Sequence, residues 1–159
     1  MEHISYKSKV KVKKVENHEQ QGTFQEQKGK FEMKFVDTEH EQFYNKMQEK
    51  YLDCWDVYHQ SLFYVLGIDI DTRLNINKLF DFKEHGIKIE GLYAGFQTGG
   101  SAKVTRLAFN LWGGLVYDSD EDFDNNQVSE QYAVDNIFCC CYAPYFWEGI
   151  KLRYPNYCG

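Results

Sequence analysis

The stretch Thr38–Gly67, TEHEQFYNKMQEKYLDCWDVYHQSLFYVLG, carries the pattern that decides the fold. Its apolar residues recur at steps of three and four, which is the spacing of one face of an α-helix. Asp37 or Thr38 can cap this helix, because Glu41 follows Thr38 at the spacing of a capping box. We predict one long amphipathic helix, or two helices broken near Asp53. The expected core residues are Phe43, Met47, Tyr51, Cys54, Trp55, Tyr58 and Leu62.

Residues 1–36, upstream of this helix, show the period of two that is typical of β-strands. In the second of two alternating segments, Phe31, Met33 and Phe35 share one face. We therefore predict an antiparallel β-hairpin or small sheet over residues 1–36. Its row of lysines would be a solvated face that protects an edge strand, or a secondary contact for a partner or a phosphate. These lysines are Lys7, Lys9, Lys11 and Lys13.

Residues 37–159 contain several shorter helical segments and a brief strand near Ile87. Asp71 would cap the first of these helices, Ser101 opens the second, and Pro144 lies in the first turn of the last. The predicted helices are Thr72–Phe80, Ala102–Trp112, Ser129–Phe138 and Ala143–Arg153. We expect a single α+β domain over residues 1–159, with the N-terminal hairpin packed on a mainly helical core of about five or six helices.

The charge of the chain is unevenly distributed along its 159 residues, which carry a net charge of −6. Residues 1–36 hold eight lysines against five glutamates, whereas residues 115–159 hold eight acids against Lys151 and Arg153. An acidic balance argues against direct, sequence-specific binding of nucleic acid and favours a partner with a basic surface. The sequence shows no signal-peptide core and no membrane-length apolar run, so we expect a cytoplasmic protein without membrane contact.

The cysteines and histidines show no spacing typical of a metal site or a catalytic site. Five cysteines, three of them consecutive, do not indicate a disulfide framework, and free thiols suit a reducing compartment. No CxxC, HExxH or GxSxG pattern is present. We therefore expect buried core thiols, no metal, no cofactor and no enzymatic activity. The cysteines are Cys54, Cys139, Cys140, Cys141 and Cys158.

The glycine-rich segment Gly95–Lys103, GFQTGGSAK, is the best candidate for a small-molecule site. Glycines before a helix expose backbone N–H groups to an anion, and Lys103 and Arg106 would add positive charge. The segment departs from a phosphate-binding loop, because Ser101 follows Gly100 where a lysine is required. Two interpretations stay open, a phosphate or nucleotide site and a loop that turns into a capped helix. The candidate anion-binding residues are Gly99, Gly100, Ser101, Lys103 and Arg106.

The run DSDEDFDNN, residues 118–126, places aspartates at alternate positions. It is not a calcium loop, because Phe123 stands where glycine is needed and Ser129 stands where a bidentate glutamate is needed. On an extended strand the aspartates would share one face at intervals of about 6.6 Å and could imitate nucleic-acid phosphates. The other interpretation is a solvated loop.

Two segments resemble a family of uncharacterised small proteins carried by phages and mobile elements of Gram-positive bacteria. They are YHQSLFYVLGIDIDTRLNINKLFDFKEHGIKIEGLYAGFQTGGSAKVTRLAFNLW, residues 58–112, and YAPYFWEGIKLRYP, residues 142–155. This resemblance supplies a genomic context and no activity. The whole chain, by its length, Lys-rich first strand and phage-like core, also resembles the anti-CRISPR proteins that inhibit Cas9 in staphylococci.

The second resemblance implies a partner and a mechanism. Cleavage by Cas9 depends on a conformational step that docks its HNH nuclease domain on the target strand. An acidic inhibitor could cover the HNH domain or block its docking, with carboxylates as phosphate-like contacts and an aromatic residue as anchor. The implied contact residues are Asp118, Asp120, Glu121, Asp122, Phe123 and Asp124.

Overall fold

Helix α2, Val57–Leu66, lies at the centre of the fold. The computed structural model of the protein describes residues 32–158, and in it every residue from 61 to 66 is buried. Helix α2 packs most extensively against α5, Gly99–Gly113, and α8, Ala143–Arg153. A helix that is apolar on nearly all sides must be covered on all sides, which explains its central position.

Within residues 32–158 the chain forms eight α-helices, three short 3₁₀ turns and one two-stranded ladder. The helices are α1 Thr38–Lys50, α2 Val57–Leu66, α3 Ile70–Leu74, α4 Ile76–Leu79, α5 Gly99–Gly113, α6 Asp120–Asp124, α7 Val134–Phe138 and α8 Ala143–Arg153. The 3₁₀ turns are Leu52–Cys54, Ile89–Tyr93 and Glu130–Tyr132. Strands β1, Phe80–Asp81, and β2, Gly86–Ile87, pair antiparallel in the middle of the chain.

The predicted α+β class, with an N-terminal hairpin on five or six helices, is wrong. The structure is mostly helical, and its hairpin follows α4 instead of preceding α1. Residues 1–31 of the predicted hairpin lie outside the described residues. Met33 and Phe35 do pack on the core while Glu32 and Lys34 are exposed, so the alternation is real. It arises because this extended segment lies on the helices, where Tyr64 Oη donates to the Lys34 carbonyl, and not from strand pairing.

The long N-terminal helical pattern forms two helices, as one of the two predictions stated. Asp37 caps α1 by accepting from His40 N at 2.6 Å, and Asp56 caps α2 by accepting from His59 N at 3.0 Å. The second cap explains the break, because an N-cap residue has extended backbone and cannot continue a preceding helix. Cys54 and Tyr58 were expected in the core, but both are exposed.

Further along the chain the predicted helices form only in part. The predicted helix Thr72–Phe80 is divided into α3 and α4, and within the predicted helix Ser129–Phe138 only α7 is α-helical. Some caps also lie at different residues. Asp69, not Asp71, caps α3. Thr98 caps α5, and Ser101 completes a capping box three residues later instead of opening the helix. Helix α5 ends at Gly114, whose φ of +71° is a conformation that glycine adopts without strain. The predicted bounds of α8 are confirmed.

His40 joins the N-terminal segment to the central helix. It is fully buried; its Nε2 donates to the Tyr64 carbonyl at 2.7 Å, and its Nδ1 accepts from Val36 N at 3.3 Å. Burial lowers the pKa of His40 from 6.5 to about 4. The ring is therefore neutral at pH 7, and both of its nitrogens form hydrogen bonds.

Helices α2 and α8 approach each other closely at Gly149. A Cβ atom on Gly149 would overlap with Cγ2 of Val65 on the central helix. The absence of a side chain therefore permits this packing. In the region 32–158, none of the helices has the length and apolar character needed to cross a membrane.

Candidate functional site

The acidic run forms a short helix. It does not form the extended strand on which its aspartates would imitate nucleic-acid phosphates. Helix α6, Asp120–Asp124, begins after Ser119, whose hydroxyl accepts from Asp122 N at 3.1 Å. Acidic residues in the first turn of a helix interact favourably with its dipole. The alternate aspartates consequently point to different sides, and only Asp120 and Asp124, one turn apart, share a side.

Asp118 lies before this helix and is engaged inside the protein. Its Oδ1 accepts from Nε of Arg106 at 3.1 Å, and its Oδ2 accepts from the hydroxyl of Ser129. The Arg106 and Asp118 side chains are only 13% and 17% exposed. Asp118 therefore anchors the acidic segment to α5. The sequence predicts Asp118 as a partner contact, but its side chain is engaged inside the protein.

Four residues of α6 form an exposed surface that we call the acidic patch, Asp120, Glu121, Phe123 and Asp124. Phe123 is 64% exposed, and its ring contacts Tyr117 edge to face at 5.3 Å. Asp122 is half-buried and lies outside the patch. The patch combines three carboxylates with one aromatic side chain, a combination that can bind a basic surface with an apolar recess.

The glycine-rich segment is a loop that turns into a capped helix. Thr98 Oγ1 accepts from Ser101 N at 3.2 Å, and Ser101 Oγ accepts from Thr98 N at 2.7 Å. Ser101 is buried. A Cβ on Gly100 would lie 3.3 Å from the ring of Tyr142, which thus covers this glycine.

The two cations of the candidate anion site both bind protein groups. Lys103 Nζ donates to the Cys139 carbonyl at 2.7 Å, while Arg106 pairs with Asp118. Their arrangement is explained by packing of the C-terminal segments on α5. The row of Lys7, Lys9, Lys11 and Lys13 lies outside the described residues.

The cysteines do not form the buried set that the sequence predicted. Cys54, Cys139 and Cys141 are exposed. Cys54 instead lies beside His59 and His85, and one potential ligand atom from each lies within 4.8 Å of the other two. The Cys54-x₄-His59 spacing was a usable signal, but nothing in the sequence indicates that His85, in the turn between β1 and β2, lies beside them.

Comparison with known proteins identifies a family and nothing further. No curated protein and no solved structure matches the chain. A family model described as a family of unknown function, DUF6075, matches residues 30–159. This match spans the whole of the described structure, α1 to α8 included. The chain therefore belongs to the DUF6075 family.

Proposed function

We propose that the protein acts by binding a basic surface of another macromolecule through the acidic patch. The observation that carries this proposal is Phe123, which is 64% exposed between three exposed carboxylates. A large aromatic side chain that is exposed to water leaves apolar surface unburied, and a partner can bury this surface favourably. Aromatic residues surrounded by polar contacts are frequent energetic centres of protein interfaces.

Helix capping accounts for only part of this surface. Asp120 and Glu121 lie in the first turn of α6, where negative charge stabilises the helix. Asp124 is the last residue of α6, where negative charge is unfavourable to the dipole, and Phe123 buries little of its ring. Helix stability does not explain why Phe123 and Asp124 occupy these exposed positions, whereas a role in binding does.

We take the partner to be the HNH domain of Cas9, in the cytoplasm of a bacterial host. This assignment is supported by the resemblance to Cas9-inhibiting anti-CRISPR proteins, and it fits the net charge of −6. Binding at the HNH domain would block the docking step that precedes target-strand cleavage, while DNA binding by Cas9 continues. The protein would inhibit by occupying a surface and would need no cofactor.

The proposal is tested by a DNA cleavage assay with purified Cas9, its guide RNA and increasing amounts of the inhibitor. The triple variant Asp120→Asn, Glu121→Gln, Asp124→Asn removes the exposed charge and leaves the half-buried Asp118 in place. Phe123→Ala removes the anchor separately. We expect each variant to require at least about tenfold more protein for half-inhibition, which corresponds to about 1.4 kcal/mol of binding free energy.

The matched control is the triple variant Glu39→Gln, Glu41→Gln, Glu49→Gln on α1. It removes the same number of exposed charges from another helix. We expect it to inhibit like the wild type. Equal inhibition by the α6 and α1 variants would exclude the acidic patch as the interface, and no inhibition by the wild-type protein would exclude Cas9 as the partner.

A further inference from the structure

Three elements of the fold bring Cys54, His59 and His85 together, and His85 is distant in sequence from the other two. Cys54 ends the 3₁₀ turn Leu52–Cys54, His59 lies in the first turn of α2, and His85 lies in the turn between β1 and β2. One potential ligand atom from each residue lies within 4.8 Å of the other two. The cluster is separate from the acidic patch and has no part in the function proposed for that patch.

His59 has the surroundings of a metal-binding histidine. It is 7% exposed, and its Nδ1 lies 2.8 Å from Oδ1 of Asp56. Its Nε2 is buried without a hydrogen-bond partner. A buried ring nitrogen without a partner is costly, and metal-bound histidines usually hold a carboxylate at the opposite nitrogen, which orients the ring.

Asp56 is well placed to orient His59. It accepts from the backbone N–H and contacts the ring of the same residue. A carboxylate oxygen at Nδ1 favours the ring form with its proton on Nδ1, which leaves Nε2 as the nitrogen that can bind a metal.

A cavity of about 270 Å³ lies beside the cluster. Tyr51 lines it, and the Tyr51 hydroxyl is a second buried polar atom without a partner. Lys50, also on the wall, places its ammonium group over the Phe82 ring at 3.5 Å. The full lining is Lys50, Tyr51, Asp53, Cys54, Phe82 and His85. The cavity leaves room for water or another small ligand next to the cluster.

We infer that Cys54, His59 and His85 form a binding site for a divalent transition metal ion of the zinc class. One thiolate and two imidazoles are ligands that Zn²⁺ prefers, and three protein ligands leave a fourth position for water. Bond lengths of about 2.3 Å to sulfur and about 2.0 Å to nitrogen place tetrahedral ligand atoms roughly 3.5 Å apart. Cys54 and His85 are exposed, so rotation of their side chains can close the remaining distance.

Binding changes the protonation of the site. The Cys54 thiol releases its proton to solvent as the sulfur binds the metal, and His59 and His85 bind as neutral rings. Affinity for Zn²⁺ therefore falls as the pH is lowered. The metal also links the 3₁₀ turn, α2 and the β1–β2 hairpin, so binding stabilises the folded chain.

The first experiment titrates the full-length protein, stripped of metal with a chelator, with Zn²⁺ by calorimetry and with Co²⁺ by absorption spectroscopy. We expect the wild-type protein to bind Co²⁺ and to show Co²⁺–thiolate absorption, and we expect this absorption to be absent in Cys54→Ser. His85→Gly is the second variant, because φ of 53° at this residue suits glycine and its loss does not strain the turn. Both variants should lower the Zn²⁺ affinity of this site at least about tenfold.

The controls are Cys139→Ser and Cys141→Ser, which remove exposed thiols outside the cluster. They should bind both metals like the wild type. Asp56→Asn keeps an effective N-cap but removes the charge behind His59, and we expect it to weaken Zn²⁺ binding about 10–100-fold. Unchanged affinity and unchanged Co²⁺ spectra in Cys54→Ser and His85→Gly would overturn the inference.

A second measurement needs no variant. Alkylation of each cysteine by iodoacetamide is followed by mass spectrometry of peptides, with and without Zn²⁺. We expect Zn²⁺ to slow alkylation of Cys54 and to leave Cys139 and Cys141 unaffected. Equal alkylation of Cys54 with and without Zn²⁺ would show that the thiol does not bind the metal.

Discussion

Arg106 on α5 donates from Nε to Oδ1 of Asp118 at 3.1 Å, and this pair fixes the start of the acidic segment. Sequence reasoning had assigned Arg106 to an anion site and Asp118 to a partner interface. The two residues satisfy each other, with little exposure to solvent. Their pairing leaves Asp120, Glu121 and Asp124 as the carboxylates that are available to a partner.

Asp118→Asn should lower the free energy of unfolding by about 1–3 kcal/mol, because it leaves the guanidinium of Arg106 without its ionic partner in a half-buried position. Asp120→Asn is the matched control and should change stability by less than about 1 kcal/mol. Urea denaturation followed by circular dichroism measures both. Equal stability of Asp118→Asn and the wild type would show that the pair contributes nothing to the fold.

The free energy of unfolding should fall as the pH is lowered through the range in which the protonation of His40 differs between the folded and unfolded chain. Its pKa is lowered to about 4 in the folded protein, against 6.5 as the ordinary value. The unfolded chain therefore takes up the proton first, and the stabilisation is complete above pH 6.5 and is lost towards pH 4. We expect a loss of roughly 2 kcal/mol between pH 7.5 and pH 5.

Urea midpoints across this pH range test the assignment to His40. A free energy of unfolding that is constant between pH 7.5 and pH 5 would contradict the buried neutral state of His40.

Gly149→Ala should destabilise the protein although alanine is the better helix former. The added Cβ would overlap with Val65, and overpacking of a core typically costs about 1–3 kcal/mol. Gly113→Ala, at the exposed end of α5, meets no atom within 4 Å and should be neutral or stabilising by up to about 1 kcal/mol. Thermal denaturation compares the two, and an unchanged melting temperature in Gly149→Ala would contradict the close α2–α8 contact.

Local signals in the sequence located α5 and α8, but they did not predict α6 or the division of the segment 72–80 into two helices. Pro144 and Pro155 enclose α8, and Gly114 ends α5, because each restricts or frees the backbone independently of the rest of the fold. The caps were harder to predict, since Asp69 and Asp71 are equally suited by type. The strand predicted near Phe35 failed for a tertiary reason, because an alternating segment can bury one face against helices without pairing.

The candidate sites depended still more on tertiary structure. The alternate aspartates of the acidic run fit a strand, but Ser119 caps a helix there and redirects their side chains. Asp118 and Arg106 each had a plausible separate role until the fold placed them together. Cys54 and His59 were close enough in sequence to suggest a site, whereas His85 joins them only through the β1–β2 turn.

The affinity of the purified Cas9 HNH domain for the wild-type protein shows whether the acidic patch binds a basic partner surface. We expect binding that weakens as salt is raised. Binding should also weaken at least about tenfold in the Asp120→Asn, Glu121→Gln, Asp124→Asn variant but not in the Glu39→Gln, Glu41→Gln, Glu49→Gln variant. HNH binding that is equal in all three proteins would contradict binding through the acidic patch, as would no HNH binding by the wild type.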